Sequence, residues 1–141
     1  MKNVDIAVER IREFCPPKGY WLAFSGGKDS QCIYHLAKMA GVKFDAHYAV
    51  TTIDPPPLVR FIRKQYPDVI FEHPEKPFLR KLEEKGFPLR QSRWCCELYK
   101  ERGGAGRTVL LGVRWEESAA RSKRKMVQHC FKGGKTQQAG K

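Results

Sequence analysis

Residues 20–40 read YWLAFSGGKDSQCIYHLAKMA. Tyr20–Phe24 is a short apolar run of the kind that forms a buried parallel strand. After the polar stretch Ser25–Ser30, the residues Cys32, Ile33, Leu36, Ala37 and Ala40 share one helical face, and Gly41 follows as a C-terminal stop. The stretch therefore predicts a strand, a glycine loop and a helix. Gly26 and Gly27 permit a tight turn and bring bare N–H groups close to a ligand, and a helix starting near Ser30 adds the positive end of its dipole. Ser25 and Ser30 can donate hydroxyl hydrogen bonds, and Lys28 supplies charge. Asp29 can cap the helix or help to hold Mg2+. These residue types suit a phosphate-like oxyanion. Their spacing matches neither GxxxxGK[ST] nor GxGxxG, which sets aside the ordinary nucleoside-triphosphatase and dinucleotide loops.

Outward from this unit the pattern repeats. Val4, Ala7, Ile11 and Phe14 mark an amphipathic first helix that ends before Pro16-Pro17. FDAHYAV (44–50) reads as a strand, PPLVRFIRKQY (56–66) as a helix with proline in its first turn, and DVIFEH (68–73) as a strand. KPFLRKLEEKG (76–86) looks helical, CCELYKER (95–102) forms a short helix, and RTVLLGV (107–113) reads as a buried strand. Alternating strands and helices imply an α/β fold: one doubly wound, mainly parallel sheet of about five strands, with helices on both faces. A loop after the first strand then lies at the sheet's carboxyl edge, where open α/β folds bind ligands.

A chain of 141 residues fits one domain. Its 41% hydrophobic and 30% charged residues are a globular balance, and nothing approaches the roughly 20 consecutive apolar residues of a membrane span. The N-terminus MKNVDIAVERIREFC has charges throughout and no apolar signal core, so the five cysteines are expected in a reducing cytoplasm, without disulfides. The formal net charge is +12, and from Arg121 to Lys141 there are seven Lys/Arg and no acid. Residues 1–125 are expected to form the α/β domain that carries the glycine loop, with 126–141 as a basic, flexible C-terminal segment. The charge suits anionic ligands, with nucleic acid a candidate partner, although a solvated basic tail is the commoner meaning of such a composition.

SGGKDS (25–30) after an apolar strand resembles the PP-loop, SGGxDS, of the adenine-nucleotide alpha-hydrolase superfamily. Together with AVTTIDPPPLVRFIRKQYPDVIFEHPEK (49–76), RWCCELYKE (93–101) and LLGVRWEESAARS (110–122), it resembles the phosphoadenosine phosphosulfate (PAPS) reductase family across roughly Tyr20 to Arg121. The resemblance implies an enzyme of sulfur metabolism that binds an adenine nucleotide through Ser25, Gly26, Gly27, Lys28, Asp29 and Ser30. Thr51, Thr52 and Asp54 would line the cleft, and Gly112, Arg114, Glu117, Ser118 and Arg121 of the GxRxxES motif would lie at its anionic end. Lys28, Asp29 and Arg114 are the candidate catalytic residues, Mg2+ is a candidate cofactor, and a thiol reductant protein is a candidate partner. The chain has no ECGxH-like segment, the thiol nucleophile of PAPS reductases. Its intact Lys28-Asp29 is similar to ATP-using relatives, so ATP, adenylylsulfate and PAPS all stay open as substrates. An ATP pyrophosphatase that adenylates a substrate for sulfur transfer and a non-catalytic nucleotide-binding module are the alternatives.

Cys95-Cys96 resembles part of the iron–sulfur site of adenylylsulfate reductases. A [4Fe-4S] cluster needs four thiolates, and only Cys130 lies downstream, so Cys32, Cys15 or a segment outside this sequence would have to complete it. Against the cluster stand a short helix that buries one thiol and exposes the other, and a reactive thiol activated by Arg93 and Lys100. His35, His47, His73 and His129 have no ligand spacing and are read as structural or solvated. Trp94, Trp115 and Phe131 lie near basic residues, and packing is the preferred reading for them.

Overall fold

The structure is a computed structural model that describes residues 2–99, 103–130 and 136–138, the side chains of 128–130 and 136–138 excepted. Four parallel strands form one sheet: β1 (Tyr20–Ala23), β2 (Phe44–Ala49), β3 (Ile70–Glu72) and β4 (Val109–Leu110), in the order β3-β2-β1-β4. This is the expected α/β architecture with four strands in place of about five. The helices are α1 (Lys2–Glu13), α2 (Lys28–Ala40), α3 (Pro56–Gln65), α4 (Phe78–Lys85), α5 (Trp94–Tyr99) and α6 (Ala119–Ser122). A further pair, β5 (Gln128–Cys130) and β6 (Thr136–Gln138), runs antiparallel and separate from the sheet, within the segment expected to be flexible. No helix among the described residues is long and apolar enough to cross a membrane.

Pleating sends alternate residues of β1 and β2 to opposite faces. Leu22, Phe24, Ala46 and Tyr48 pack on Tyr34 and Ala37 of α2 and Ile62 of α3, with Leu22 and Ile62 fully buried. Val8 and Ile11 of α1 join Tyr20 and Ala40 in an adjoining cluster. The first helix thus buries a face displaced from the one its spacing suggested: Val4 and Phe14 are exposed, whereas Val8 is buried. Arg12 then serves the end of the neighbouring helix, donating from Nε to the Ala40 carbonyl at 2.8 Å, where a helix C-terminus lacks partners of its own. In α2, Cys32 is exposed rather than on the packed face, because the buried face is rotated onto Ser30, Tyr34, Ala37 and Ala40, with Tyr34 donating to Asp68 at 2.6 Å.

The other face of the sheet is polar at its centre. Trp21 stacks on His47 with ring centroids 4.7 Å apart. His47 is held at both ring nitrogens by carboxylates, Asp45 at Nε2 and Glu72 at Nδ1, the latter at 2.6 Å. Arg107 forks onto Asp45 at 2.5 and 2.7 Å and also reaches the carbonyls of Gly19 and Tyr20, bolting the approach to β4 onto β1 and β2. The Arg107 hydrogen bonds, against the opposing effect of burial and with help from His47, hold the Asp45 carboxyl at about 2. A carboxyl depressed on folding stabilises the fold above its unfolded pKa, roughly 4, and loses that contribution as pH falls through about 2. Asp45→Asn is therefore expected to cost about 1–2 kcal/mol at pH 7, allowing for partial exposure, and to flatten the acid limb between about pH 4 and pH 2. Urea titrations of both proteins across that range check it.

β4 departs from the buried strand its composition predicts. Only two residues pair with β1, and Val109 and Leu111 are exposed, because β4 is the sheet's edge among the described residues.

Candidate functional site

The strand order reverses between β1 and β4, since the chain moves from β1 outward through β2 and β3 and returns to β1's other side. A crevice at the carboxyl ends forms at such a switch. SGGKDS follows β1 and the Gly112–Ser118 segment follows β4, so both motifs flank it.

The loop is built from within and from behind. Gly26 sits at φ +76°, and a Cβ there would lie 2.8 Å from Leu58 Cδ1, so the turn is pressed onto α3. Gln31 donates from Nε2 to the Gly26 carbonyl at 2.7 Å and accepts from the Tyr66 hydroxyl at 3.0 Å. Ser25 donates to Ser30 Oγ at 3.2 Å, and the buried Ser30 donates to the Gly27 carbonyl at 2.8 Å. Helix α2 begins at Lys28, earlier than expected, with Gly27 at the cap and no side-chain cap. Asp29 thus occupies the first turn instead of capping. The first intrahelical bond runs from the Gln31 N–H to the Gly27 carbonyl at 3.0 Å, leaving the N–H groups of Lys28, Asp29 and Ser30 without a partner among the described residues. Lys28 is exposed with no ion pair among the described residues. These donors and this charge make an anion cradle.

The two glycines differ in a testable way. Gly26→Ala forces a side chain into a left-handed conformation and against α3, and is expected to cost about 1–3 kcal/mol of stability. Gly27 has room, since an added Cβ would meet only Ser25 Oγ at 3.4 Å. Gly27→Val should remain within about 1 kcal/mol of the parent in chemical denaturation while weakening anion binding at least about tenfold.

From the other motif, Arg114 donates from Nε to Asp29 Oδ2 at 3.1 Å across 85 residues of sequence and also reaches Glu117 at 3.5 Å. Arg121 pairs with Glu117. A Cβ on Gly112 would lie 2.7 Å from the Asp29 carbonyl oxygen, so glycine is what allows the end of β4 to close on the start of α2. Ser118 caps α6, its Oγ accepting from the Arg121 N–H at 3.2 Å. The sequence-predicted residues Asp29, Gly112, Arg114, Glu117 and Arg121 thus form one connected group.

The segment after β2 is drawn tight. Asp54 accepts from the Tyr48 hydroxyl at 2.7 Å and from the Thr51 N–H at 2.8 Å, so both oxygens shape the loop. Burial acts against ionisation of Asp54, but the Tyr48 and Thr51 hydrogen bonds prevail and its pKa is lowered; burial and Asp54 together push the Tyr48 hydroxyl up. Gln31, Tyr48 and Tyr66, which hold the two loops, carry no signal in a single sequence, because their partners are set by packing.

Cys95 and Cys96 lie half-buried on α5, and the side chain of Cys130 lies outside the described residues. Among the described residues no group of three or more His, Cys, Asp or Glu side chains is placed to hold a metal ion. Cys95 and Cys96 supply two of the four thiolates that a [4Fe-4S] cluster needs. Trp94 packs on Phe78, as expected, but Trp115 is exposed.

A family model described as phosphoadenosine phosphosulfate reductase domain matches residues 19–135. The chain belongs to this family, within the PP-loop superfamily of adenine-nucleotide alpha-hydrolases. Members are in general enzymes with a nucleotide substrate. Neither a comparison with curated proteins nor one with solved structures gave a match.

Proposed function

We propose that the protein is a PAPS-reductase-like enzyme that binds an adenine nucleotide at the β1–β4 switch, with the phosphates against Ser25–Ser30 and the sulfate or terminal phosphate toward Arg114 and Arg121. The observation that carries this reading is the Arg114–Asp29 contact, which brings the two motif segments face to face. Thr51 and Thr52 would border the nucleotide, and Asp54 would shape that border. Residues 1–125 act as the nucleotide-binding unit, and 126–141 as a basic extension toward an anionic partner such as nucleic acid.

The unpartnered N–H groups at the start of α2 and the Lys28 ammonium would bind phosphate oxygens without prior reorganisation, which is where electrostatic catalysis is strongest. The Arg114 fork would neutralise charge developing at sulfur or phosphorus and hold the leaving group in line. Glu117 would orient both Arg114 and Arg121. Asp29 would help to hold Mg2+ beside the nucleotide phosphates, and the ion would supply positive charge that favours departure of a phosphate leaving group. Sulfite formation would draw its thiol from a separate reductant protein. ATP pyrophosphatase chemistry is the second reading, supported by the intact Lys28-Asp29 pair and by a Lys28 that has no ion pair among the described residues.

Offering ATP, adenylylsulfate and PAPS separately with a dithiol distinguishes these readings. Sulfite from a sulfonucleotide supports the reductase, and AMP with pyrophosphate from ATP supports the alternative. Binding without any product would leave a nucleotide-binding module.

A further inference from the structure

Thr52 has φ +68°, the one non-glycine residue with positive φ among those described. A β-branched residue is costly there, and such outliers persist where the surroundings demand them. The demand is visible. Thr52 Oγ1 accepts from the N–H of Phe78 at 2.8 Å, 26 residues away, and Phe78 is the first residue of α4, whose own cap position, Pro77, offers no side-chain acceptor. Thr52 therefore caps α4 from the loop after β2.

The start of α4 is gripped from its other side by α5. The Phe78 ring stacks on Trp94 at 5.5 Å and meets Tyr99 at 5.8 Å, and the Tyr99 hydroxyl donates to the Lys76 carbonyl at 2.9 Å. Trp94 and Tyr99 are the two ends of the helix that carries Cys95 and Cys96. Trp94 is buried with its indole N–H unpartnered among the described residues, so this helix is held by ring packing on Phe78 rather than by hydrogen bonds from that indole.

We propose that Thr52 is a positioning residue that fastens the loop Thr51–Asp54 to the tandem-cysteine helix, so that nucleotide binding at the carboxyl edge alters the accessibility of Cys95 and Cys96. The nucleotide half of this inference rests on the function proposed above; the tether itself does not.

Site-resolved alkylation of the full-length protein by iodoacetamide, followed by mass spectrometry with Cys15 as internal reference, tests both halves. Without ligand, Thr52→Val, which keeps the branch and removes the hydroxyl, is expected to alkylate at Cys95 and Cys96 about threefold faster or more, whereas Thr52→Ser matches the parent. Thr52→Gly, which removes hydroxyl and strain together, should accelerate likewise and serves if Thr52→Val does not fold. Saturating ATP, adenylylsulfate or PAPS, with binding verified by equilibrium dialysis, is expected to change the rate about twofold or more in the parent and Thr52→Ser but not in Thr52→Val or Thr52→Gly. Parent-like rates in the ligand-free Val and Gly variants would overturn the tether. Nucleotide that binds without changing the parent's rates would overturn the coupling and leave the proposed function standing. Nucleotide that fails to bind would overturn the proposed function and the coupling with it, the ligand-free rates alone then deciding the tether.

Discussion

Arg114→Ala is expected to lower kcat/KM for the productive nucleotide by about 10²–10³-fold, the usual effect of removing one preorganised charge partner of a transition state. Its melting temperature should stay within a few degrees of the parent. Arg114 is largely exposed, and its pairs with Asp29 and Glu117 are surface ion pairs worth about 0–1 kcal/mol. Arg114→Lys should recover only part of the loss, because an ammonium cannot fork onto two oxygens. Steady-state kinetics on the three proteins, with thermal melts alongside, check the separation of activity from stability.

Gly112→Val should damage both. The atoms an added Cβ would meet are the Asp29 carbonyl oxygen at 2.7 Å and its carbon at 2.9 Å, main chain at the start of α2 that cannot turn aside as a side chain would. Either the end of β4 or the first turn of α2 must retreat, and a forced insertion of this kind costs about 1–3 kcal/mol. A melting temperature lower by roughly 3–10 °C is expected. Arg114 lies two residues beyond the displaced point, so nucleotide affinity should fall by more than the lost stability explains. Calorimetric titration at a temperature where the variant is fully folded measures that excess.

The glycine loop was legible because its residues declare their conformational and chemical needs locally: Gly26 does take a positive φ, and Gly41 does end α2 in the left-handed conformation. The alternation of strands and helices was legible from apolar periodicity, which also placed the two motif loops at the same edge. What escaped depends on partners far along the chain. FDAHYAV reads as a strand, but that Asp45 and His47 would be wired to Glu72 and Arg107 follows only from the pairing of four strands. RTVLLGV looks buried by composition, and its position at the edge is a property of the sheet. Cys32 has helical spacing on the apolar face, yet the face that α2 buries runs through Ser30, Tyr34, Ala37 and Ala40 and leaves Cys32 outside. Thr52 gives no warning of its conformation, since threonine rarely adopts it and the compensating Phe78 N–H arrives from another helix.

The most direct test of the central claim, that SGGKDS and GxRxxES together make one adenylate site, is isothermal titration of ATP, adenylylsulfate and PAPS into the parent protein and Gly27→Val. The account predicts that at least one nucleotide binds the parent with a single-site isotherm and that its affinity falls at least about tenfold in the folded variant. Equal affinity in the two proteins, or no binding of any of the three to the parent, would contradict it.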